Sequence, residues 1–344
     1  MPGPSYAEWQ VELPDDSWDR DLFAQDGQFL QSTHWGAFKK ALGHEVFFGR
    51  GDGWQGLAIL ERTNRTTRLY CPYGPTAVDE DSYVAAVHAL QALGREQGAS
   101  FVRVEPYVPL RTEDLERLGH RPAIREIVPS LLWVQDLSKS RDELIAEFSK
   151  NNRQRYRNAH KKGIRIVGGR NIADVPILLR MLQEVAEHNK IVQHPNHYFV
   201  QMARTLTERN AATLYTAWHE NDPVSAAIVF DSPTTRHVAH SGSLHKARHL
   251  HPGAIMRATM ILDAKEQGQR TFDSLGVAPP DQPDHEWAGL TEFKKSFGGQ
   301  YKQLLGTWEV PCSNWYPLYR SAYSAYTGAQ NVKASITEAM HKRK

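Results

Sequence analysis

The sequence predicts an α/β protein of mixed α+β sheets in which one unit occurs twice. Ala85 to Gly98 (AAVHALQALGREQG) has helical spacing and runs into the strand-like Phe101 to Glu105 and then Pro106. Ala254 to Gly268 (AIMRATMILDAKEQG) runs in the same way into Thr271 to Leu275 and then Pro279-Pro280. Both helices close on Glu-Gln-Gly, where glycine supplies a left-handed cap. The copies lie about 170 residues apart, far beyond the period of a solenoid, so whole domains are duplicated. A chain of 344 residues with 40% apolar content can bury two ordinary cores.

In chain order, Ser32 to Leu42 opens on hydroxyl capping residues and stops at Gly43, which predicts a short helix with Trp35 and Phe38 on one face and Lys39 one turn from Trp35. Glu45 to Phe48, Gly56 to Arg62 and Arg68 to Cys71 read as a strand meander leading into the rigid turn Pro72-Tyr73-Gly74-Pro75. Ser140 to Glu143 has capping-box spacing, so a helix starts there; a second, basic helix follows Asn151-Asn152 and ends at Gly163. The second unit then reads as strand Ile164 to Val167, helices Val175 to His188 and His197 to Arg209, and strands Ala212 to His219, Ser225 to Asp231 and His237 to Ser243. A loop, Leu244 to Gly253, precedes the duplicated helix, and the tail returns as a strand near Leu304 to Val310 and a terminal helix. This gives a first domain over 1–139, completed by 308–344, and a second over 140–307. A meander, a loop, a helix and a further strand form an α/β pattern rather than a sandwich or bundle. Two domains also make a cleft, the usual seat of chemistry.

No run approaches 18 apolar residues, and the start (MPGPSYAEWQVELPDD) has neither the basic region nor the apolar core of a secretion signal, so a cytoplasmic protein is expected. Cys71 and Cys312 are too few for a disulfide framework or a cysteine metal cluster. Histidines gather at 188–197 and 237–251 without the helical spacing of a zinc site, and no phosphate-binding glycine motif follows a strand, so neither metal nor cofactor is expected. A formal charge of +2 makes the whole molecule no polyanion binder, yet Lys150 to Arg170 holds eight basic residues and no acid. Within it Arg153, Arg157 and Lys161 fall at i, i+4 and i+8, one face of a helix.

An ordered set of segments resembles the Fem-type aminoacyltransferases, which extend peptidoglycan precursors using aminoacyl-tRNA. The set comprises QSTHWGAFKKALG from Gln31, Pro72-Tyr73-Gly74-Pro75, VRVEPY from Val102, KNNRQRYRNAHKKGIRI from Lys150, FDSLGVAPP from Phe272 and GLTEFKKSFGG from Gly289. The resemblance implies two tandem acetyltransferase-like (GNAT-like) domains. With no heptad-patterned pair of long helices between Gly163 and Phe293, it implies the type without a coiled-coil arm. Ser274-Leu275 departs from the family's more glycine-rich pattern before Gly276.

The implied reaction is attack by an acceptor amine on the ester that joins an amino acid to tRNA. Because that ester is already activated, positioning and cationic stabilisation carry the rate. By resemblance Lys294 supplies the charge, Phe293 stacks on the terminal adenine or the donor, Lys39 meets the diphosphate of a nucleotide-linked precursor with Arg236 nearby, and Tyr73 lies in the substrate-binding turn. Glu105 matches an acidic residue in the place of a general base. Arg153, Arg155, Arg157, Lys161 and Lys162 would hold the acceptor stem of the tRNA through its phosphates. The expected acceptor is the peptide stem of UDP-MurNAc-pentapeptide or lipid II, with peripheral membrane contact in the lipid-linked case. The competing readings are a tRNA-dependent transferase acting on a peptide or nucleoside natural product, an acetyl-CoA-dependent N-acetyltransferase, and a non-catalytic RNA-binding protein.

Overall fold

The structure is a computed structural model describing residues 8–64 and 66–325. In chain order its elements are β1 (Glu8–Gln10), α1 (Ser17–Ala24), α2 (Thr33–Ala41), β2 (Glu45–Gly51), β3 (Trp54–Arg62), β4 (Thr67–Cys71), β5 (Thr76–Ala77), α3 (Glu80–Glu96), β6 (Phe101–Val104), α4 (Thr112–Arg117), β7 (Arg121–Pro122) and β8 (Leu131–Asp136). They continue as α5 (Arg141–Glu147), α6 (Lys150–Arg157), β9 (Ile164–Gly169), α7 (Val175–Asn189), α8 (Asn196–Glu208), β10 (Ala212–His219), β11 (Asp222–Asp231), β12 (Thr235–Ser243), α9 (Pro252–Glu266), β13 (Thr271–Gly276), α10 (Ala288–Lys295), β14 (Gln300–Gln303) and β15 (Trp308–Pro311). Residues 316–325 are helical.

Two compact units divide the chain. The first takes the described residues up to 12, 44–127 and those from 305; the second takes 13–43 and 128–304. The sequence division differs from this at residues 13–43, 128–139 and 305–307. Residues 13–43 group with the second unit because α2 packs on α8, with the Phe38 and Tyr198 rings 5.1 Å apart edge to face. β8 belongs there too, hydrogen-bonded between β13 and β14.

In the first unit the sheet runs β1-β2-β3-β4-β6-β15-β7, with β5 on β3. β4 and β6 pair in parallel, Arg68–Cys71 against Phe101–Val104, and α3 crosses between them. The buried stripe of α3 is Tyr83, Ala86, Val87, Leu90 and Leu93, spaced to keep one face on the sheet. Asp79 caps this helix by accepting the Ser82 N–H at 2.8 Å. The tail supplies β15 between β6 and β7, where buried Glu309 pairs with Arg103 and accepts the Tyr316 hydroxyl at 2.9 Å. At Gly94 a Cβ would stand 2.9 Å from Cys312 Sγ, so this close approach of the tail needs a glycine.

The second unit repeats the plan. Its sheet runs β14-β8-β13-β12-β11-β10-β9, with β12 and β13 parallel and α9 crossing between them. The parallel pairing covers only Thr235–His237 against Thr271–Asp273. Most of the circumference of α9 is buried, from Ala254 to Ala264, which is why its sequence shows little one-sidedness. α7 lies so close on β12 that a Cβ at Gly242 would stand 2.4 Å from the Met181 carbonyl. Among the described residues the longest helix is α3 with 17 residues, and there is no long antiparallel helical pair.

One predicted element is corrected. The basic helix does not continue to Gly163; α6 ends at Arg157 and a separate 3-10 turn spans His160–Lys162 before Gly163 at φ 66°. Without an apolar stripe, a helix of this sequence has nothing to bury beyond its first turn. Arg153, Arg157 and Lys161 therefore do not share one helical face.

The pair at β15 tests this architecture. Replacing Glu309 by Ala leaves the Arg103 guanidinium buried and unpaired, so unfolding free energy should drop by about 3–5 kcal/mol. Chemical denaturation measures this; a drop of less than about 1 kcal/mol is incompatible with a buried pair that anchors the tail strand.

Candidate active site

The site is built where β13 ends and α10 returns. Register on β8 moves from Val134 to Leu132 while β13 moves from Asp273 to Gly276, so one extra residue bulges out of β13. Leu275 takes up the bulge at φ 58°, held by its N–H donating to Asp273 Oδ1 at 2.7 Å. A leucine in the left-handed region is strained. The one place where the sequence departs from a glycine-rich pattern is thus the place where the backbone favours glycine.

The bulge turns the Gly276 carbonyl to accept a hydrogen bond from Lys294 Nζ. Lys294 is 5% exposed although the lysine that follows it, Lys295, is exposed. Burial, reinforced by the nearby Arg257 guanidinium and opposed by the Asp273 carboxylate, pushes its amine down to about 7. Arg257 is itself buried, and that lowers it to about 10. Its Nη1 donates to Ser274 Oγ at 2.7 Å, and its guanidinium lies 5.2 Å from the Phe293 ring and 5.8 Å from each of Phe272 and Phe297. Asp273 meets His237 Nδ1 through its other oxygen at 3.2 Å.

The position of α10 is fixed by the turn that follows it. Gln135 Nε2 donates to the Phe297 carbonyl at 2.9 Å and Trp133 Nε1 to that of Gly298 at 2.8 Å. Gly298 and Gly299 adopt φ 85° and 103°, and a Cβ on Gly299 would stand 2.6 Å from the Val134 carbonyl. The same turn anchors the basic segment, since the Ser149 N–H donates to the Ser296 carbonyl at 2.8 Å and buried Asn152 donates to Ser296 Oγ at 2.8 Å. Lys294, Phe293 and the start of the basic tract are therefore brought together.

The remaining sequence-derived residues divide by role. Lys39 lies half-buried with its amine 5.3 Å from the Trp35 ring and 5.9 Å from those of Phe38 and Tyr198, an aromatic seat for the charge. Arg236 is corrected: it is 0% exposed, donating to Asp231 at 2.7 Å, Tyr215 Oη at 2.7 Å, Gln267 at 3.0 Å and the Met260 carbonyl at 3.2 Å, which makes it a core strut. Glu105, in the first unit, is also buried. At 4% exposed it accepts from the Tyr70 hydroxyl at 3.0 Å, the Tyr73 N–H at 3.0 Å and the Thr307 hydroxyl at 2.9 Å, and so holds the Tyr73 turn. Tyr73 is buried there at φ 47°. Arg153 is also corrected, because its guanidinium donates back to the Ala146 carbonyl at 2.9 Å and to that of Phe148, closing the end of α5. Arg155 donates to Asn152 at 2.9 Å, whereas Arg157, Lys161 and Lys162 are exposed. Sequence reasoning passed over Arg257, Asp273 and His237. Arg257 carried a legible signal, a lone charge inside the apolar run AIMRATMIL.

Among the described residues no cluster of His, Cys, Asp or Glu could hold a metal ion, and no helix is long and apolar enough to cross a membrane.

Two outcomes follow from this geometry. Leu275→Gly should be the more stable and Leu275→Ala the less stable of the two, by about 1 kcal/mol, reversing the usual order; thermal melts with Ala above Gly would contradict a left-handed Leu275. For Lys294, the folded value of about 7 lies below its ordinary 10.5, so between them the unfolded chain binds the extra proton. Stability should rise with pH across that window and Lys294→Met should remove this contribution; identical slopes in the two proteins would show an amine in water.

The comparisons agree with this architecture. Residues 146–295 match the acetyltransferase (GNAT) domain model. A lipid II:glycine glycyltransferase of Staphylococcus aureus is 21% identical over 410 aligned residues, covering 93% of this chain and 95% of the relative. The crystal structure of FemX superposes with a TM-score of 0.77 at 17% identity, covering 91% of this chain and all of FemX. A tandem GNAT protein from the clavulanic acid biosynthesis pathway superposes at 0.52 with 11% identity, over 89% of this chain and 99% of that one. Taken with the duplicated sheet and helix plan, these likenesses give the chain a fold of two tandem GNAT-like domains, similar along most of its length to Fem-type acyltransferases.

Proposed function

We propose that the protein transfers an amino acid from aminoacyl-tRNA to an amine on the peptide stem of a peptidoglycan precursor, either UDP-MurNAc-pentapeptide or lipid II. The observation that carries this is the buried Lys294 amine, held on the Gly276 carbonyl and pushed down to about 7 by burial and by Arg257, whose guanidinium lies against the Phe293 ring. In the step envisaged, the acceptor nitrogen bonds to the ester carbonyl carbon and the bond from that carbon to the 3′ oxygen of the tRNA breaks. The nitrogen loses one proton and the leaving oxygen gains one. Lys294 in its ammonium form meets the charge that develops on these oxygens, and an amine titrating near neutral pH can return to that form after each cycle. Phe293 offers its half-exposed ring to the terminal adenine or the donor. Lys39 serves a phosphate-bearing precursor, and Arg157, Lys161 and Lys162 serve the tRNA backbone. The S. aureus relative, whose name specifies lipid II and glycine, supports a precursor of this class.

The helix starts weigh against acetyl-CoA. That cofactor needs free backbone N–H groups at the head of the crossover helix to cradle its pyrophosphate. α3 instead starts with Asp79, Glu80 and Asp81, three carboxylates where phosphates would sit. α9 starts with Pro252, which has no N–H to offer.

The test mixes the protein with a pool of labelled aminoacyl-tRNAs and either precursor. Label should move to the peptide, and Lys294→Met should slow transfer by at least about 100-fold without loss of fold. Transfer to coenzyme-dependent substrates in place of these, or unimpaired turnover by Lys294→Met, would overturn the proposal.

A further inference from the structure

The histidine-rich stretch at 245–251, which matches no metal pattern, has a defined place in the second unit. It folds as a 3-10 turn whose inward residues, Leu244 and Ala247, are buried, while His245, Lys246, Arg248 and His249 point to solvent. Beside it lies a recess with a floor of Val224, Leu244 and Ala247 and a rim of Arg180, His219, Lys246 and His249. Asp222 is the one acid among the residues lining this recess. The rim continues into the basic tract. The His219 ring lies 3.6 Å from where a Cβ of Gly163 would stand, so it abuts the end of the His160–Lys162 turn. Arg155 and Lys162 are near enough to His251 to lower its imidazole pKa, after the larger effect of burial.

We propose that this recess is a second phosphate-binding site, which together with the Arg157 to Lys162 segment forms one continuous face for the backbone of an RNA stem. The inference rests on the aminoacyl-tRNA reading above and adds to it the partner's second point of attachment. RNA is favoured over a nucleoside diphosphate by the layout of the charges. Arg180 and Lys246 are exposed, carried on long side chains and set on separate elements, α7 and the 245–250 turn, with half-buried His219 at the end of β10 beside them, rather than converging with backbone amides on one small anion. Two cationic points on separate elements would also fix the direction of a stem, which a single tract of charges cannot do.

The experiment measures binding of a labelled acceptor-stem RNA hairpin by anisotropy over a range of salt. Three proteins are compared: wild type, R180A/K246A and K161A/K162A, with R180K/K246R as the charge-preserving control and thermal melts to check folding. Removing the two rim charges should weaken binding about tenfold and flatten the plot of log K against log salt by about 2, one for each phosphate no longer neutralised, and the control should restore both. Wild-type affinity and slope in R180A/K246A, with K161A/K162A impaired, would overturn the recess while leaving the RNA reading in place. Absence of salt-dependent RNA binding by the wild type would overturn both. Saturable binding of UDP that disappears in R180A/K246A, with RNA binding unchanged, would assign the recess to a nucleotide and overturn the RNA stem.

Discussion

Two basic side chains, Lys294 and Arg257, are buried within electrostatic reach of each other at the end of one strand, and the second unit is arranged around that cost. Desolvating a cation is expensive, and a second cation nearby adds repulsion. Three features of the fold offset it. Phe272, Phe293 and Phe297 surround the guanidinium with ring faces, Ser274 accepts one of its N–H groups, and Asp273 lends a carboxylate held in place by His237 and the Leu275 N–H. What remains uncompensated emerges as an amine that gives up its proton near neutral pH, which is the property proton-transfer chemistry needs.

The bulge on β13 and the paired glycines after α10 are the backbone devices that make this arrangement accessible. The extra residue falls immediately before Gly276, which stays in register with Leu132 of β8 and whose carbonyl accepts from the Lys294 amine. Gly298 and Gly299 let the chain turn tightly enough for Trp133 and Gln135 of β8 to hold the far end of α10. The same turn receives Asn152, so the basic tract and the lysine are referenced to one strand. In the first unit the equivalent strand ends at Glu105, and there the buried carboxylate stabilises a turn. One plan, used twice, thus buries a cation at the end of the strand in one copy and an anion in the other.

How much of this was legible in the sequence depended on the range of the forces involved. The α2 helix, the capping box at Ser140 and the duplicated helix with its Glu-Gln-Gly ending are written in local spacing, and the structure contains all of them. Lys294 and Phe293 stand out through a motif, but nothing local distinguishes buried Lys294 from exposed Lys295. Arg236, Glu105 and Arg153 each look like a free charge in the sequence and are hydrogen-bonded in the fold, Arg236 to Asp231 and the distant Gln267, Glu105 to the distant Thr307, and Arg153 to the carbonyls of Ala146 and Phe148. The early end of α6 is hidden because charge spacing alone does not sustain a helix. The grouping of residues 13–43 with the second unit rests on packing against α8, some 160 residues away in the chain, and no local pattern records it.

The most direct test of these relationships is titration of the Lys294 amine itself, by NMR of the protein labelled at lysine Nζ and Cε, with Lys294→Met used to assign the signal. One lysine with a midpoint near 7, moving upward when Arg257 is replaced by Met, is the expected result. A midpoint near the ordinary 10.5, unaffected by Arg257, would mean that the amine is hydrated and that the site does not work as described.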